Sequence, residues 1–219
     1  MWGNTGRIID LDLDSGKANI LSPPASYYRK YIGGSGLAAR LFLDIGDFSA
    51  DPLSPEAILI FTLGPLAGLR LSGVSRGCVA GCSPLTGHWG DSSCGGYFPP
   101  ELRYAGYDGI IIRGRSQIPV VLAINDDEIR LVEARDHWGK DIFLTTADLR
   151  KQFGKNVRTL AIGPAGENLV KYAAILNEGH HAFGRAGFGA VMGSKNLKAI
   201  VVKGTNKELK LFDPDAFGE

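Results

Sequence analysis

Apolar and polar residues alternate along two segments of the chain, and each segment carries turn residues at its centre. The segment GRIIDLDLDSGKANILS alternates on both sides of Asp-Ser-Gly (14–16), and IPVVLAINDDEIRLVEA does so around Asn-Asp-Asp (125–127). Period-two alternation is typical of strands that bury one face, and Asn, Asp and Gly favour the turns between them. We therefore predict two β-hairpins.

Short apolar runs bounded by glycine or proline predict further strands. They are AILIFTLGPLAG (57–68), RGCVAGCSPLTG (76–87), YDGIIIRG (107–114), AIVVKG (199–204) and two runs within VRTLAIGPAGENLVKYAAILNEG (157–179).

Helical patterns are fewer and shorter. They are PASYYRKYIGGSGLAARLFLDIG, broken at Gly33-Gly34, the proline-started PPELRYAG, and the amphipathic DIFLTTADLRKQFG. Because strands of 5–8 residues outnumber three or four short helices, the sequence predicts an α+β fold, mainly antiparallel.

The two halves of the chain resemble each other. IFTLGPLAG, ending at Gly68, has a counterpart in TLAIGPAGE (159–167), and YDGIIIRG has one in LKAIVVKG (197–204). A glycine-rich stretch lies between the members of each pair, SSCGGYF (92–98) in the first half and AFGRAGFGAVMG (182–193) in the second. A duplication would give two similar glycine-lined surfaces, able to hold one composite ligand or two copies of a ligand.

The amino-acid composition argues against several classes of function. The 24 basic and 23 acidic residues give a formal net charge of +1, so no broad field attracts nucleic acid or acidic lipid. No apolar run approaches the ~20 residues that span a bilayer, and the N-terminus lacks a signal-peptide pattern. We expect a cytoplasmic protein.

Glycine is the compositional anomaly, with 30 residues concentrated near 64–96 and 163–193. Glycine lets a backbone approach a ligand closely and leaves N–H groups free to face anions. One candidate surface has Ser92, Ser93, Gly95 and Gly96 before the proline-started helix, and the other has His180, His181 and Arg185 among its glycines. The alternative is that these glycines only permit tight packing within the fold.

Three cysteines, Cys78, Cys82 and Cys94, are too few and too oddly spaced for a disulfide framework or a common zinc site. Free, partly buried thiols are the favoured interpretation. Arg76, at the start of a glycine-bordered strand, either faces a buried anion or cofactor or is a surface charge.

Other nucleotide-binding and catalytic motifs either lack the surrounding sequence that their function requires or are not present. The series Gly187, Gly189 and Gly193 resembles a dinucleotide fingerprint, but no apolar strand leads into it. Gly193-Ser194-Lys195 has the wrong order for a phosphate-binding P-loop, and neither a G-x-S-x-G elbow nor an H-E-x-x-H motif is present. The sequence therefore points to a domain that supports chemistry carried out by another group.

An ordered series of motifs resembles the N-terminal domain of the tungsten-containing aldehyde ferredoxin oxidoreductases. It comprises GNTGRIIDLDLDSG, DPLSPE, GPLAG, SPLTG, CGGYFPPELRYAGYDGIIIRG and IGPAGENLVKYAAILNEGHHAFGRAGFGAVMGSKNLKAI. The resemblance runs from residue 1 to about residue 204. It implies a base of two sheets related by a pseudo-two-fold axis, under a tungsten or molybdenum held by two pterin cofactors.

The resemblance also implies roles for individual residues. Ser93 and Ala182 match positions whose backbone carbonyls bind a Mg²⁺ ion between the pterin phosphates. Arg76 matches an arginine between a pterin and a [4Fe–4S] cluster. The remaining matches to cofactor-binding positions are Cys94, Gly95, Gly96, His181, Phe183, Gly184 and Arg185.

Two departures from the family pattern touch this surface: serine replaces the frequent asparagine at Ser93, and histidine replaces the frequent arginine at His181. They leave the metal, the substrate and the direction of reaction open. The alternatives are an aromatic acyl-thioester reductase, a scaffold that has lost its metal, and a weaker nicotinamide-dependent dehydrogenase.

The expected domain spans residues 1–210, with 211–219 beginning a linker. The resemblance places the cluster ligands and the catalytic acid–base groups beyond this chain, so no catalytic residue is expected here and the fragment alone is expected to be inactive. The implied partners are ferredoxin, downstream domains of the same polypeptide and a small aldehyde. A homodimer is compatible with the resemblance, and neither nucleic acid nor a membrane is expected.

Overall fold

The computed structural model describes residues 2–209, 211–213 and 215–216, so the expected linker lies partly outside the described residues. The strands are β1 (Ile8–Asp12), β2 (Lys17–Leu21), β3 (Leu59–Leu63), β4 (Gly77–Cys82), β5 (Trp89–Cys94), β6 (Gly109–Arg113), β7 (Val120–Asn125), β8 (Glu128–Glu133), β9 (Arg158–Ala161), β10 (Ile175–Asn177), β11 (His181–Phe183) and β12 (Leu197–Lys203). The helices are α1 (Ala25–Tyr31), α2 (Gly34–Ile45), α3 (Phe98–Tyr104), α4 (Ile142–Phe153), α5 (Pro164–Glu167) and α6 (Phe188–Ser194), with a 3₁₀ turn at Arg135–His137.

The strands form two mixed sheets of six strands each. The first sheet has the order β2-β1-β6-β3-β4-β5, and the second has β8-β7-β12-β9-β10-β11 when read from its hairpin edge. In each sheet only the pair that joins the hairpin to the next strand is parallel, β1 with β6 and β7 with β12. The second sheet thus repeats the first with every strand number raised by six, and the predicted α+β class with an internal duplication is confirmed.

The main hydrophobic core lies between the two sheets. Its residues include Ile110 and Phe61 from the first sheet and Leu160 and Ile200 from the second, all nearly or fully buried. Helices α1 and α2 cover the outer face of the first sheet, and α4 covers that of the second. The outer helices and the two sheets therefore bury apolar surface on both faces of each sheet.

Two short helices occupy equivalent places in the repeat and contact the opposite half of the molecule. Helix α3 follows β5 and contacts β9 and β12 of the second sheet, whereas α6 follows β11 and contacts β3 and β4 of the first. Arg103 of α3 forms a buried ion pair with Asp108 and donates to the carbonyl of Gly64 at 3.0 Å. The Arg103 contacts hold α3 to the first sheet, and the contacts of α3 and α6 join the two halves.

The sequence patterns did not predict β5 and β11, which are edge strands of their sheets. The segment WGDSSC is polar and glycine-containing, and β11 has only three residues, so neither shows a clear period-two pattern. Helices α5 and α6 raise the helix count above the predicted three or four, because packing rather than propensity stabilises FGAVMGS in a helical form.

Among the described residues, no helix combines the length and the apolar character that crossing a membrane requires.

Candidate functional site

The two glycine-rich stretches predicted from the sequence meet at the outer edges of the two sheets. Strands β5 and β11 contact each other. The backbone N–H of Arg185 donates to Oγ of Ser92 at 3.2 Å, and Nδ2 of Asn177 donates to the carbonyl of Gly95 at 2.7 Å. The structure therefore brings both stretches to one place.

Strand register shows that these stretches are equivalent in the repeat. Ile110 of β6 and Ile200 of β12 hold the same place in the matching runs GIIIRG and AIVVKG. Register pairing from Ile110 across β3 and β4 leads to Ser92 in β5. Pairing from Ile200 across β9 and β10 leads to His181 in β11. Ser92 and His181 are therefore counterparts.

The residues that follow are counterparts as well. Ser93 corresponds to Ala182, and Gly95 corresponds to Gly184. Ser93, Ala182 and Gly184 are exposed, while Gly95 is partly exposed. We call the segments 93–96 and 182–185 the first and second ledge. Both ledges face solvent at the seam between β5 and β11.

Two of the predicted site residues turn their side chains inward. Cys94 and Phe183 are also counterparts, and they are 2 % and 1 % exposed in the central core. The ring of Phe183 packs edge-on against that of Phe61, with 6.1 Å between the ring centroids. Only the backbone of Cys94 and Phe183 can therefore face a ligand on the ledges.

Gly95 and Gly184 have no structural need to be glycine within this chain. Neither has a positive φ. A Cβ at Gly95 would lie 3.9 Å from the Arg76 guanidinium, and one at Gly184 would lie 3.8 Å from Cβ of Ala182, both comfortable distances. A side chain is thus missing at two equivalent, accessible positions where the fold would accept one, as expected of a surface kept bare for a ligand.

Other glycines of the second stretch are explained by packing inside the chain, in contrast to the expectation that the whole stretch lies against a ligand. A Cβ at Gly193 would overlap the carbonyl oxygen of Gly166, and one at Gly189 would lie 2.5 Å from the carbonyl oxygen of Ala174. Gly187 has a positive φ of 73°, and a Cβ there would overlap the carbonyl oxygen of Lys171. The bare backbone from 187 onward lies against α5 and the loop after it.

Two arginines border the ledges. Arg76 lies beside Gly95, and Arg185 ends the second ledge; both are exposed. Among the described residues neither guanidinium donates a hydrogen bond to, or forms an ion pair with, another side chain. A guanidinium can bind a phosphate or a polar ring through two parallel hydrogen bonds, so both are available to an anionic ligand.

The two histidines differ in their surroundings. His181 lies against Gly96, where a Cβ would be 2.6 Å from its ring carbon Cδ2. His180 lies near the ring of Phe143, with 6.4 Å between the ring centroids. Both are exposed, and only His181 belongs to the seam between the ledges.

The three cysteines are free and buried. Burial raises the pKa of the Cys78 thiol to about 12, with the nearby Asp91 carboxylate adding to the shift. Burial raises the pKa of Cys94 to about 11 against the opposing charge of Arg76. Because the thiolate is the nucleophile, this burial makes Cys78 and Cys94 poor nucleophiles near neutral pH.

No cluster of three His, Cys, Asp or Glu side chains suited to a metal occurs in the described part of the chain. A metal at the ledges would therefore depend on backbone oxygens and on oxygens or sulfurs of its own organic ligand. The bare backbone of the ledges and the two exposed guanidinium groups beside them leave space and positive charge for an anionic ligand.

Sequence reasoning missed Asn177, which is fully buried and joins the first ledge to β10. The one feature of the sequence that could have pointed to Asn177 is that this polar residue ends an apolar run, AAILN. Tyr97, next to the first ledge, is 59 % exposed and lies under the guanidinium of Arg158, 4.7 Å from the ring centroid.

Comparison with protein families identifies the family of this chain. The family described as "Aldehyde ferredoxin oxidoreductase, N-terminal domain" matches residues 8–204. The tungsten-containing aldehyde ferredoxin oxidoreductase of Pyrococcus furiosus is 45 % identical over 218 residues, which cover 99 % of this chain and 36 % of that protein. The corresponding protein of Thermococcus kodakarensis is also 45 % identical, with the same coverage.

A solved structure has the same fold. The active-site complex BamBC of benzoyl coenzyme A reductase, in complex with 1,5-dienoyl-CoA, superposes with a TM-score of 0.91 and 39 % identity. The match covers 94 % of this chain and 31 % of that one. The chain thus spans about a third of the length of the relatives it matches.

Proposed function

The chain belongs to the aldehyde ferredoxin oxidoreductase family as its N-terminal domain, and on that basis we propose that its ledges support a tungsten–pterin cofactor in a longer oxidoreductase. The cofactor would comprise two pterins sharing one tungsten or molybdenum, with a Mg²⁺ ion between their phosphates. The complete protein would oxidise aldehydes to carboxylates and pass electrons through a [4Fe–4S] cluster to ferredoxin. The cluster ligands would lie outside this chain.

The observation that carries this proposal is the pair Gly95 and Gly184. They occupy equivalent, accessible positions, and neither backbone conformation nor packing requires glycine there. A duplicated bare surface suits a cofactor made of two similar halves. The tungsten-containing relatives supply the kind of cofactor, since the name of each specifies that metal.

Each ledge residue has a role in binding. Gly95 and Gly184 would let the pterin rings approach the backbone, and the carbonyls of Ser93 and Ala182 would bind the Mg²⁺ ion. Arg185 would hold a phosphate or a ring edge. Arg76, beside the first ledge, would assist electrons in leaving the cofactor. The bound group supplies the redox chemistry, and this domain supplies position and charge.

An aromatic acyl-thioester reductase is the second candidate. It is favoured by the likeness to the benzoyl coenzyme A reductase complex at 39 % identity. The higher identity of 45 % to the aldehyde ferredoxin oxidoreductases favours the first candidate.

The deciding experiment is metal analysis with a visible spectrum of the longer protein, expressed anaerobically with tungstate and molybdate both supplied. We expect about one tungsten or molybdenum per chain and the broad absorption of an iron–sulfur cluster. Reduction of ferredoxin should then depend on an aldehyde. Purified protein without either metal would refute the proposal, and activity with aromatic acyl-thioesters alone would favour the second candidate.

A further inference from the structure

Asn177 connects the two ledges through a single side chain. It is the last residue of β10 and pairs in register with His181 of β11, next to the second ledge. Its Nδ2 donates to the carbonyl of Gly95 in the first ledge at 2.7 Å, although 82 residues separate the two along the chain. A change in this hydrogen bond would therefore alter how the first ledge sits relative to the second.

The repeat shows that packing alone does not require an amide at this position. The register counterpart of Asn177 in the first sheet is Val79, which is fully buried in the core. Asn177 is as deeply buried, and its Oδ1 has no hydrogen-bond partner among the described residues. An unsatisfied buried oxygen costs stability that a valine would not, so the amide has a role that packing does not explain.

The first ledge is shaped around this amide. Gly96 has a positive φ of 85°, and a Cβ there would lie 2.6 Å from Nδ2 of Asn177. The backbone thus passes so close to Asn177 that only glycine fits. The carbonyl of Gly95 accepts the hydrogen bond from Asn177. The turn at 95–96 is therefore fixed by this hydrogen bond and by the close approach of Gly96 to the same side chain.

We propose that Asn177 is a positioning residue that sets the spacing between the two ledges by holding the carbonyl of Gly95. The part of this inference that concerns the ligand rests on the proposed function. The hydrogen bond itself is a property of this chain and can be tested without any ligand.

The first test measures hydrogen exchange of the Gly95–Tyr97 amides in the longer protein prepared without tungstate or molybdate. Asn177→Asp has nearly the same shape but loses the amide N–H groups, and in its ionised form it cannot donate to the carbonyl of Gly95. We expect about tenfold faster exchange, since an ordinary hydrogen bond is lost. Asn177→Val, which introduces the residue found at the equivalent place in the first sheet, should give the same result without a buried charge.

The matched control is Asn196→Asp. Asn196 also donates through Nδ2 to a distant backbone carbonyl, that of Ser116 at 2.7 Å, but it does not contact the ledges. It should leave exchange at Gly95–Tyr97 unchanged. Equal exchange in the parent and both Asn177 variants, or equal acceleration in Asn196→Asp, would overturn the inference.

The second test follows the consequence for the ligand. In protein grown with both metals, both Asn177 variants should lose metal severalfold, and the metal that remains should have an altered electron paramagnetic resonance signature. Asn196→Asp should match the parent in both. Normal metal content and an unchanged signature in the Asn177 variants would refute the effect on the ligand. Absence of metal from the parent would instead refute the proposed function and leave the exchange result to decide on Asn177.

Discussion

Gly95 and Gly184 are residues whose missing side chains the fold does not explain. A leucine at either position should leave the stability of the metal-free protein within about 0.5 kcal/mol of the parent, because both positions are accessible and a Cβ there meets no atom closer than 3.8 Å. It should nevertheless lower the metal content of the longer protein, since the side chain would stand where the backbone meets the ligand.

Metal analysis and thermal unfolding of the same samples check this prediction. Ala165→Leu is the control, because Ala165 is a small exposed residue of α5 away from the ledges. Full metal content in Gly95→Leu and Gly184→Leu would show that the ledges do not touch the cofactor.

Arg76 is another residue whose role can be separated from folding. Its guanidinium is exposed and lies beside Gly95. Arg76→Ala in the longer protein should slow electron transfer to ferredoxin on the order of tenfold, because in the proposed function the cofactor would lose one charged hydrogen bond from this guanidinium. Metal content should stay close to that of the parent.

Stopped-flow reoxidation by ferredoxin measures the effect on Arg76→Ala. Arg70→Ala removes the same charge from an exposed residue of the same loop and should react like the parent. Loss of the metal from Arg76→Ala would assign that arginine to cofactor retention instead.

At the scale of elements, α5 and α6 pack so closely that glycine is needed at their crossing. A Cβ at Gly193 would overlap the carbonyl oxygen of Gly166. Gly193→Ala should lower the free energy of unfolding by about 1–3 kcal/mol, the usual cost of overpacking. Gly163→Ala is the control, since a Cβ there would be 3.5 Å from the nearest atom, in Ile142. Denaturant unfolding measures the free energy of unfolding of both variants. Equal values for Gly193→Ala and Gly163→Ala would contradict the close packing of α5 and α6.

How far the sequence predicts an element depends on where the element lies in its sheet. Both hairpins and the central strands follow from their patterns, because buried strands are apolar on one or both faces. The edge strands β5 and β11 do not, and they carry the ledges. Their residues make contacts such as that of Asn177 with Gly95, which no local pattern encodes. In the proposed function they also form the surface that faces the ligand.

Across the whole molecule, the repeat explains why the sequence could show that the two glycine-rich stretches are equivalent, even though their strands could not be predicted. Matching runs at 107–114 and 197–204 anchor the register in both sheets. Each glycine-rich stretch then falls at the outer edge of its own sheet, and the packing of α3 and α6 across the halves brings those edges together. The meeting of the ledges is therefore a property of the paired halves and of neither half alone.

Lys195 also joins the halves, and we expect its burial to make the stability of the protein depend on pH. It is fully buried, and its Nζ donates to the carbonyls of Pro55 at 3.3 Å and Gly114 at 3.0 Å in the first half. Burial lowers its pKa from 10.5 to about 8, and the charge of Arg115 adds to the shift. Below pH 8 the folded protein carries the full cost of a buried ammonium.

Between pH 8 and 10.5 the unfolded chain keeps a proton on this lysine that the folded protein has released. The unfolded state then binds more protons, so the contribution of Lys195 to stability rises with pH across this window. The stability of the parent relative to Lys195→Met should accordingly rise with pH, by as much as about 3 kcal/mol.

Comparing the two proteins cancels the titration of the cysteines and tyrosines that both contain. Urea unfolding at several pH values measures this difference; Lys203→Met, at an exposed lysine, should show no such trend. A constant difference for Lys195→Met would mean that the folded protein keeps this lysine charged.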